Sequence, residues 1–187
     1  ENHKNHHHAG NGHHEHARKS TTPKIPALKI GEKVPDFEVT IGGKKWKLSE
    51  LQKNKEMSKD GTLVLTFWCS FCHSCRHVEH RLDELAQHYR GEVGVIALDA
   101  SAGETTEDVT AFAKEEKLSL PIAIDAVGKS ADIFGVGVTT TAVVIDQDGL
   151  LRYRGQFADG KKQLAHDALK SVLAGKEVAV EETRQKG

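Results

Sequence analysis

Long apolar runs, net charge and cysteine are all scarce in this chain of 187 residues. No stretch of about 18 apolar residues occurs, so nothing in the sequence is long enough to span a membrane as a helix. Lys and Arg number 26 against 27 Asp and Glu, a formal net charge of -1, which supplies no overall basic field for nucleic acid. No internal repeat is visible, so the chain does not read as a repeat array. Methionine is missing from the first position, where Glu1 stands; a cut or engineered start is expected, with any export signal already removed. Only three cysteines are present, Cys69, Cys72 and Cys75, and all fall within one short stretch. What remains is the composition of a single globular domain, with 37% hydrophobic residues over a length that can bury a sizeable core.

The cysteines close the stretch from Thr62 to Arg76. Leu63 to Trp68 is an apolar run of strand length, rich in residues that suit a pleated sheet, and from Ser70 to about Arg90 the spacing turns helical. This predicts Cys72 and Cys75 in the first turn of a helix, where two thiols separated by two residues can close a small disulfide. The first thiol there faces unpaired backbone N–H groups and the positive end of the helix dipole, which favour thiolate. Thiolate is the species that attacks a disulfide, so Cys72 reads as the nucleophile and Cys75 as the resolving thiol. His73 lies between them; if charged, it further stabilises the thiolate and makes the pair more oxidising.

The segment Phe67-Trp68-Cys69-Ser70-Phe71-Cys72-His73-Ser74-Cys75-Arg76 resembles the Phe-Trp-Ala-x-Trp-Cys-x-x-Cys segment of thioredoxin-like proteins, in particular the TlpA-like extracytoplasmic redoxins. Gly31 to Phe37, Trp46 to Leu51 and Phe134 to Asp146 are similar to further segments of that family, so the likeness covers most of the chain. It implies an α/β thioredoxin-like fold over residues 25–180, a central mixed β-sheet flanked by helices. It also implies a monomer that exchanges dithiol for disulfide with protein thiols outside the cytoplasm and requires no cofactor. Trp68 and Phe71 are core or rim aromatics in any fold; in this family they correspond to the apolar collar around the reactive thiol, where substrate binds.

Two positions depart from the family. Relatives carry a cis-proline in the loop facing the thiols, where it shapes the groove for substrate backbone. The run Gly135-Val136-Gly137-Val138-Thr139-Thr140-Thr141 puts Thr140 at that place, with Thr139 beside it. A cis bond before a residue other than proline costs about 2.5–4 kcal/mol, so the Thr139–Thr140 peptide is expected to be trans. Thr66 stands where thioredoxin carries a buried acid beneath the pair, and a threonine cannot take a proton from the resolving thiol at ordinary pH. Glu79, His77 and His73 are nearby alternatives in sequence, although a helix surface also carries such residues for solubility alone. Cys69 replaces the family's alanine. It reads as a small buried filler or, with Cys72, Cys75 and one of His73, His77 and His80, as part of a soft metal site. Thr66-Phe67-Trp68-Cys69 also resembles the Thr-x-x-Cys of peroxiredoxins, but Thr62 stands where their proline should precede it.

Residues 1–24 read as a disordered tail in which His6, His7, His8, His13, His14 and His16 cluster among polar residues. Such a density of imidazoles binds zinc, copper or nickel weakly, or is the inert remnant of a purification tag. A redoxin that carries Cu or Zn is therefore the alternative function. Phe37 to Ile41 and Lys44 to Lys47 predict a hairpin through Gly42-Gly43, and Leu48 to about Lys53 a short helix. Glu92 to Leu98 is a second buried strand. Thr105 or Thr106 caps a helix to about Glu116. Leu120 to Ile124 reads as a strand, Lys129 to Phe134 as a helix, and Ala142 to Asp146 with Leu150 to Arg154 as a hairpin around Asp148-Gly149. Lys161 to Ala174 is amphipathic, with Leu164, Ala168, Val172 and Leu173 toward the sheet and Gly175 as stop. His88 and His166 have no identifiable partner, and residues 181–187 are expected to form a flexible tail.

Overall fold

The computed structural model describes residues 26–186. Strands β1 (Glu38–Ile41) and β2 (Lys44–Lys47) pair in antiparallel register. The turn between them uses Gly42 and Gly43 at φ of 57° and 81°, left-handed values that glycine adopts without a side-chain clash. Helix α1 (Leu48–Lys53) follows, burying Leu48 and Leu51. The apolar run before the cysteines is β3 (Leu63–Phe67), every residue of it buried, as a strand covered on both faces requires.

From β3 the chain passes through a 3-10 turn (Ser74–His77) and α2 (Glu79–His88) to β4 (Gly94–Asp99). Strand β4 pairs with β3 in parallel, Leu63 opposite Gly94 and Phe67 opposite Leu98, as a connection through a helix predicts. Then come α3 (Thr106–Glu115), β5 (Ile122–Ile124), α4 (Lys129–Phe134), β6 (Thr141–Ile145), β7 (Leu151–Gln156) and α5 (Leu164–Leu173). Thr105 caps α3, its hydroxyl accepting from the Asp108 N–H. The sheet runs β2-β1-β5-β4-β3-β6-β7, with β3, β4 and β5 parallel and the other pairings antiparallel, so it is mixed as expected.

Strand alternation divides the core in two. Val64, Val95 and Ala97 pack with Leu82 and Leu85 of α2, Val109 of α3 and Leu169 of α5, whereas Leu63, Leu65, Ile96 and Leu98 pack with Leu48 and Leu51 of α1 and Phe134 of α4. The inward stripe of α5 differs from the expected one. Ala165, Ala168 and Leu169 are buried, Leu164 and Val172 half-buried, and Leu173 is exposed. Positions 165, 168, 169 and 172 follow the i, i+3, i+4, i+7 spacing of one helix face, which turns Leu173 outward.

Where a flexible tail is expected, residues 181–186 run beside β7. The Arg154 N–H donates to Glu181 O, the Thr183 N–H donates to Arg154 O, and the Arg154 guanidinium pairs with Glu182 at 2.7 Å. The histidine-rich stretch lies outside the described residues.

Candidate active site

Beyond β3 the Trp68 N–H still donates to Leu98 O, and the chain then makes two consecutive tight turns. The Cys72 N–H donates to Cys69 O at 3.3 Å and the Cys75 N–H to Cys72 O at 3.2 Å. The α-helix begins only at Glu79, so the expected position of both thiols in the first turn of a continuous helix is corrected. Cys72 precedes the 3-10 turn, and the backbone N–H groups that favour its thiolate are those of Cys75 and Ser74.

All three thiols are free, with Cys72 half-buried and Cys69 and Cys75 buried. The Cys72 Sγ lies 2.8 Å from the Thr139 Oγ1, on the loop between α4 and β6. Burial alone would raise the Cys72 pKa, but the Thr139 hydroxyl, the Cys75 thiol and the two backbone N–H groups together bring it below the ordinary cysteine value. Cys75 behaves oppositely. Burial is the largest effect on it and the neighbouring Cys72 adds to it, so its pKa is raised. Two thiols three residues apart are thus shifted in opposite directions, Cys72 toward easier ionisation and Cys75 away from it.

Thr139 supplies the hydroxyl at the thiol. Thr140 is buried and turned away, its N–H donating to Phe67 O at 2.6 Å and its hydroxyl to Lys186 O at 3.4 Å. No cis peptide bond occurs among the described residues, so the Thr139–Thr140 bond is trans, and Thr140 instead takes a φ of 69°. That value is rare for a β-branched residue.

His73, expected beside the thiolate, is exposed and packs edge-on against His77 at 5.7 Å. Phe71 stands at the rim next to Cys72 and is 70% exposed, a position open to a partner. Trp68 is only 2% exposed and lines, with Cys69 and Thr139, a depression beside the thiol loop, so it offers a partner little surface. Its indole Nε1 donates to Glu79 Oε1 at 2.9 Å, and Arg76 reaches the same oxygen at 2.5 Å. Burial raises the Glu79 pKa while the indole and the guanidinium oppose that rise. Glu79 is therefore a structural acid engaged by two donors.

Arg76 was not singled out in the sequence. It donates to Ser70 O at 2.7 Å and to Cys69 O at 3.1 Å and lies 4.2 Å from the Phe112 ring centroid, tying the thiol loop to α3. Its spacing of three from Glu79 was the available signal. A second acid group was also unmarked. Glu104 accepts from the N–H and hydroxyl of Ser70 at 2.8 and 2.7 Å, and Asp99 accepts from the Ser101 N–H at 2.9 Å. Burial pushes Asp99 up to about 6, opposed by its bonds from Ser101 and reinforced by Glu104. Burial first, then Cys72, Asp99 and Glu104, push Cys69 up to about 12, which suits its reading as a buried filler and not as a reactive thiolate. Thr66 is buried beneath, its hydroxyl without a hydrogen-bond partner among the described residues.

Among the described residues no group of three His, Cys, Asp or Glu side chains is placed to hold a metal ion, so Cys69, Cys72 and Cys75 do not assemble a soft site with His73, His77 or His80. His6, His7, His8, His13, His14 and His16 lie outside the described residues. His166 does have partners: its Nε2 is 2.8 Å from the Tyr89 hydroxyl and its Nδ1 3.0 Å from Gln163 Oε1, with His88 edge-on beside it. No helix among the described residues is long and apolar enough to cross a membrane.

The chain has known relatives. The profile of the AhpC/TSA family matches residues 30–154. The chain is 30% identical over 131 residues to the thioredoxin-like protein YneN of Bacillus subtilis, covering 69% of this chain and 72% of that protein. It is 33% identical over 143 residues to the thiol-disulfide oxidoreductase ResA of Bacillus thuringiensis subsp. konkukian, covering 75% and 78%. Among solved structures, the pneumococcal exposed lipoprotein thioredoxin Etrx1 of Streptococcus pneumoniae superposes with a TM-score of 0.55 at 24% identity, over 73% of this chain and 99% of that one. An uncharacterized conserved protein from Geobacillus kaustophilus gives 0.71 at 23% identity, over 86% and 92%. The fold is thioredoxin-like.

Proposed function

This chain belongs to the AhpC/TSA family, and from that premise we propose that it is a thiol-disulfide oxidoreductase whose Cys72–Cys75 pair exchanges with a protein partner outside the cytoplasm. The observation that carries this reading is the contrast between the two thiols, Cys72 half-buried with a lowered pKa and Cys75 buried with a raised one. The curated relatives named as thiol-disulfide oxidoreductases support the reaction class. The extracytoplasmic placement rests on the resemblance of residues 67–76 to TlpA-like redoxins.

In the reducing direction the Cys72 thiolate attacks one sulfur of the partner's disulfide. A mixed disulfide forms and the partner's other sulfur leaves as thiolate. Cys75 then loses its proton and attacks Cys72 Sγ, which closes the Cys72–Cys75 disulfide and releases the partner's second thiolate. Two electrons pass to the partner. The reverse sequence oxidises it. Keeping Cys75 protonated until the mixed disulfide exists separates the two attacks, and Phe71 at the rim offers the partner an apolar contact beside the reacting sulfur.

The test is exchange with a disulfide-bearing protein substrate by single-cysteine variants. Cys72→Ser is expected to abolish exchange, and Cys75→Ser to retain the first attack and accumulate a mixed disulfide visible on a non-reducing gel. Full exchange by Cys72→Ser would sink the reading.

A further inference from the structure

The loop that presents Thr139 to Cys72 has an unexpected support. Helix α4 ends at Gly135, whose φ is 63° and where an added Cβ would stand 2.5 Å from the Ala27 Cβ. From there to Thr140 the chain is irregular and contains Gly137, which has no side chain to pack. The segment beside β7 reaches across to it. The Gln185 Oε1 accepts from the Gly137 N–H at 3.0 Å, and its Nε2 donates to Gly135 O at 2.9 Å. A primary amide carries one acceptor and a donor pair in a plane, so Gln185 engages two backbone groups of one loop as a neighbouring strand would.

The segment is itself anchored. The Gln156 N–H donates to Thr183 Oγ1 at 2.9 Å, Glu182 pairs with Arg154, and Arg154 also donates to Phe134 O at 3.0 Å at the end of α4. Thr140 donates to Lys186 O on the other side. Gln185 therefore links β7, the end of α4 and the loop without touching either thiol.

We infer that Gln185 is a positioning residue for the thiol pair: its amide fixes Gly135 and Gly137 so that the Thr139 hydroxyl stays on Cys72 Sγ and steadies the thiolate. This rests on Cys72 being the attacking thiol. It predicts that the chemistry at Cys72 responds to a side chain that approaches it only through the loop, by way of Thr139.

The experiment uses the full chain, reduced, with iodoacetamide as the probe and mass spectrometry to locate alkylation at Cys72 across a range of pH. Gln185→Ala is expected to move the pH profile upward and to slow alkylation at pH 7 by roughly threefold to tenfold, the scale of one ordinary hydrogen bond lost. Thr139→Val should do the same directly, and the double variant should be no slower than Thr139→Val alone, because both remove one interaction. Gln185→Glu keeps the acceptor for Gly137 and loses the donor to Gly135, so an intermediate profile is expected. The inference is overturned if the Gln185→Ala profile superimposes on that of the parent, or if its effect persists in full in the Thr139→Val background. Alkylation needs no protein partner. An intact profile shift with no exchange toward a protein disulfide would therefore count against the proposed function and leave the positioning role standing.

Discussion

Thr139 and Cys72 are 67 residues apart in the chain, yet the Thr139 Oγ1 and the Cys72 Sγ lie 2.8 Å from each other. A hydroxyl donating to a sulfur favours the charged form of that sulfur. Thr139→Val removes the donor while keeping the branched shape. The Cys72 pKa is expected to rise by about one unit, the scale of one hydrogen bond to an ionised group. Thiolate absorbance near 240 nm, followed against pH in a Cys69→Ala background, reads that change; an unmoved titration would remove Thr139 from the site.

Thr140 occupies the place of the family's proline with a backbone that proline cannot adopt. Its φ is 69°, and its N–H is used in a bond to Phe67 O. Proline holds φ near -65° and has no N–H, so Thr140→Pro is expected to destabilise the fold by about 3 kcal/mol in spite of restoring the family pattern. Urea unfolding of the variant beside the parent measures this, and equal midpoints would show that the loop can rebuild around proline.

Half-buried Arg76 and buried Glu79 form an ion pair whose members depend on each other. Arg76→Met leaves the Glu79 carboxylate inside the protein with only the Trp68 indole, and a loss of about 3–5 kcal/mol is expected. Adding Glu79→Gln removes the stranded charge and keeps an acceptor for the indole. The double variant should therefore be more stable than Arg76→Met alone. Chemical denaturation of the four proteins gives the coupling; strict additivity would deny the pair.

Half-buried His166 and buried Asp99 give stability opposite dependences on pH. Burial, followed by the charges of Lys170 and His88, lowers the His166 pKa below its ordinary 6.5, so the unfolded chain binds that proton more readily. Stability from His166 is present above about pH 6.5 and is lost as pH falls through the lowered value. Asp99 is raised from 3.8 to about 6, so the folded protein retains a proton that the unfolded chain releases. Its contribution is present below about pH 4 and is lost as pH rises through about 6. Unfolding free energies between pH 4 and 8 should show His166→Gln flattening the acid-side loss and Asp99→Asn removing the opposite slope. A parent-like pH dependence in both variants would contradict the assignment.

Much of the architecture was legible because it depends on short-range pattern. The apolar run at 63–68, the glycine pair at 42–43, the threonine cap at 105 and the helical spacing after the thiols each involve neighbours within about four residues, which is the range that periodicity and capping rules describe. The helical reading failed where two turns intervene between Cys69 and Cys75, since a cysteine spacing of three fits consecutive tight turns as well as a helix. It also set Leu173 inward, a one-residue error of about 100° around the helix axis.

By itself the sequence determined the strand that delivers the cysteines and the layered arrangement, since those follow from local chemistry and hydrophobic alternation. Tertiary structure alone decided what surrounds the thiols. The register of β3 against β6, with Thr66 opposite Ala142, brings the Thr139 loop to Cys72. The packing of α2 under the loop buries Glu79 against Trp68, and the segment beside β7 carries Gln185 to Gly137. These contacts join residues 67, 11 and 48 positions apart. Their geometry follows from chain closure and strand register, on which spacing along the chain carries no information.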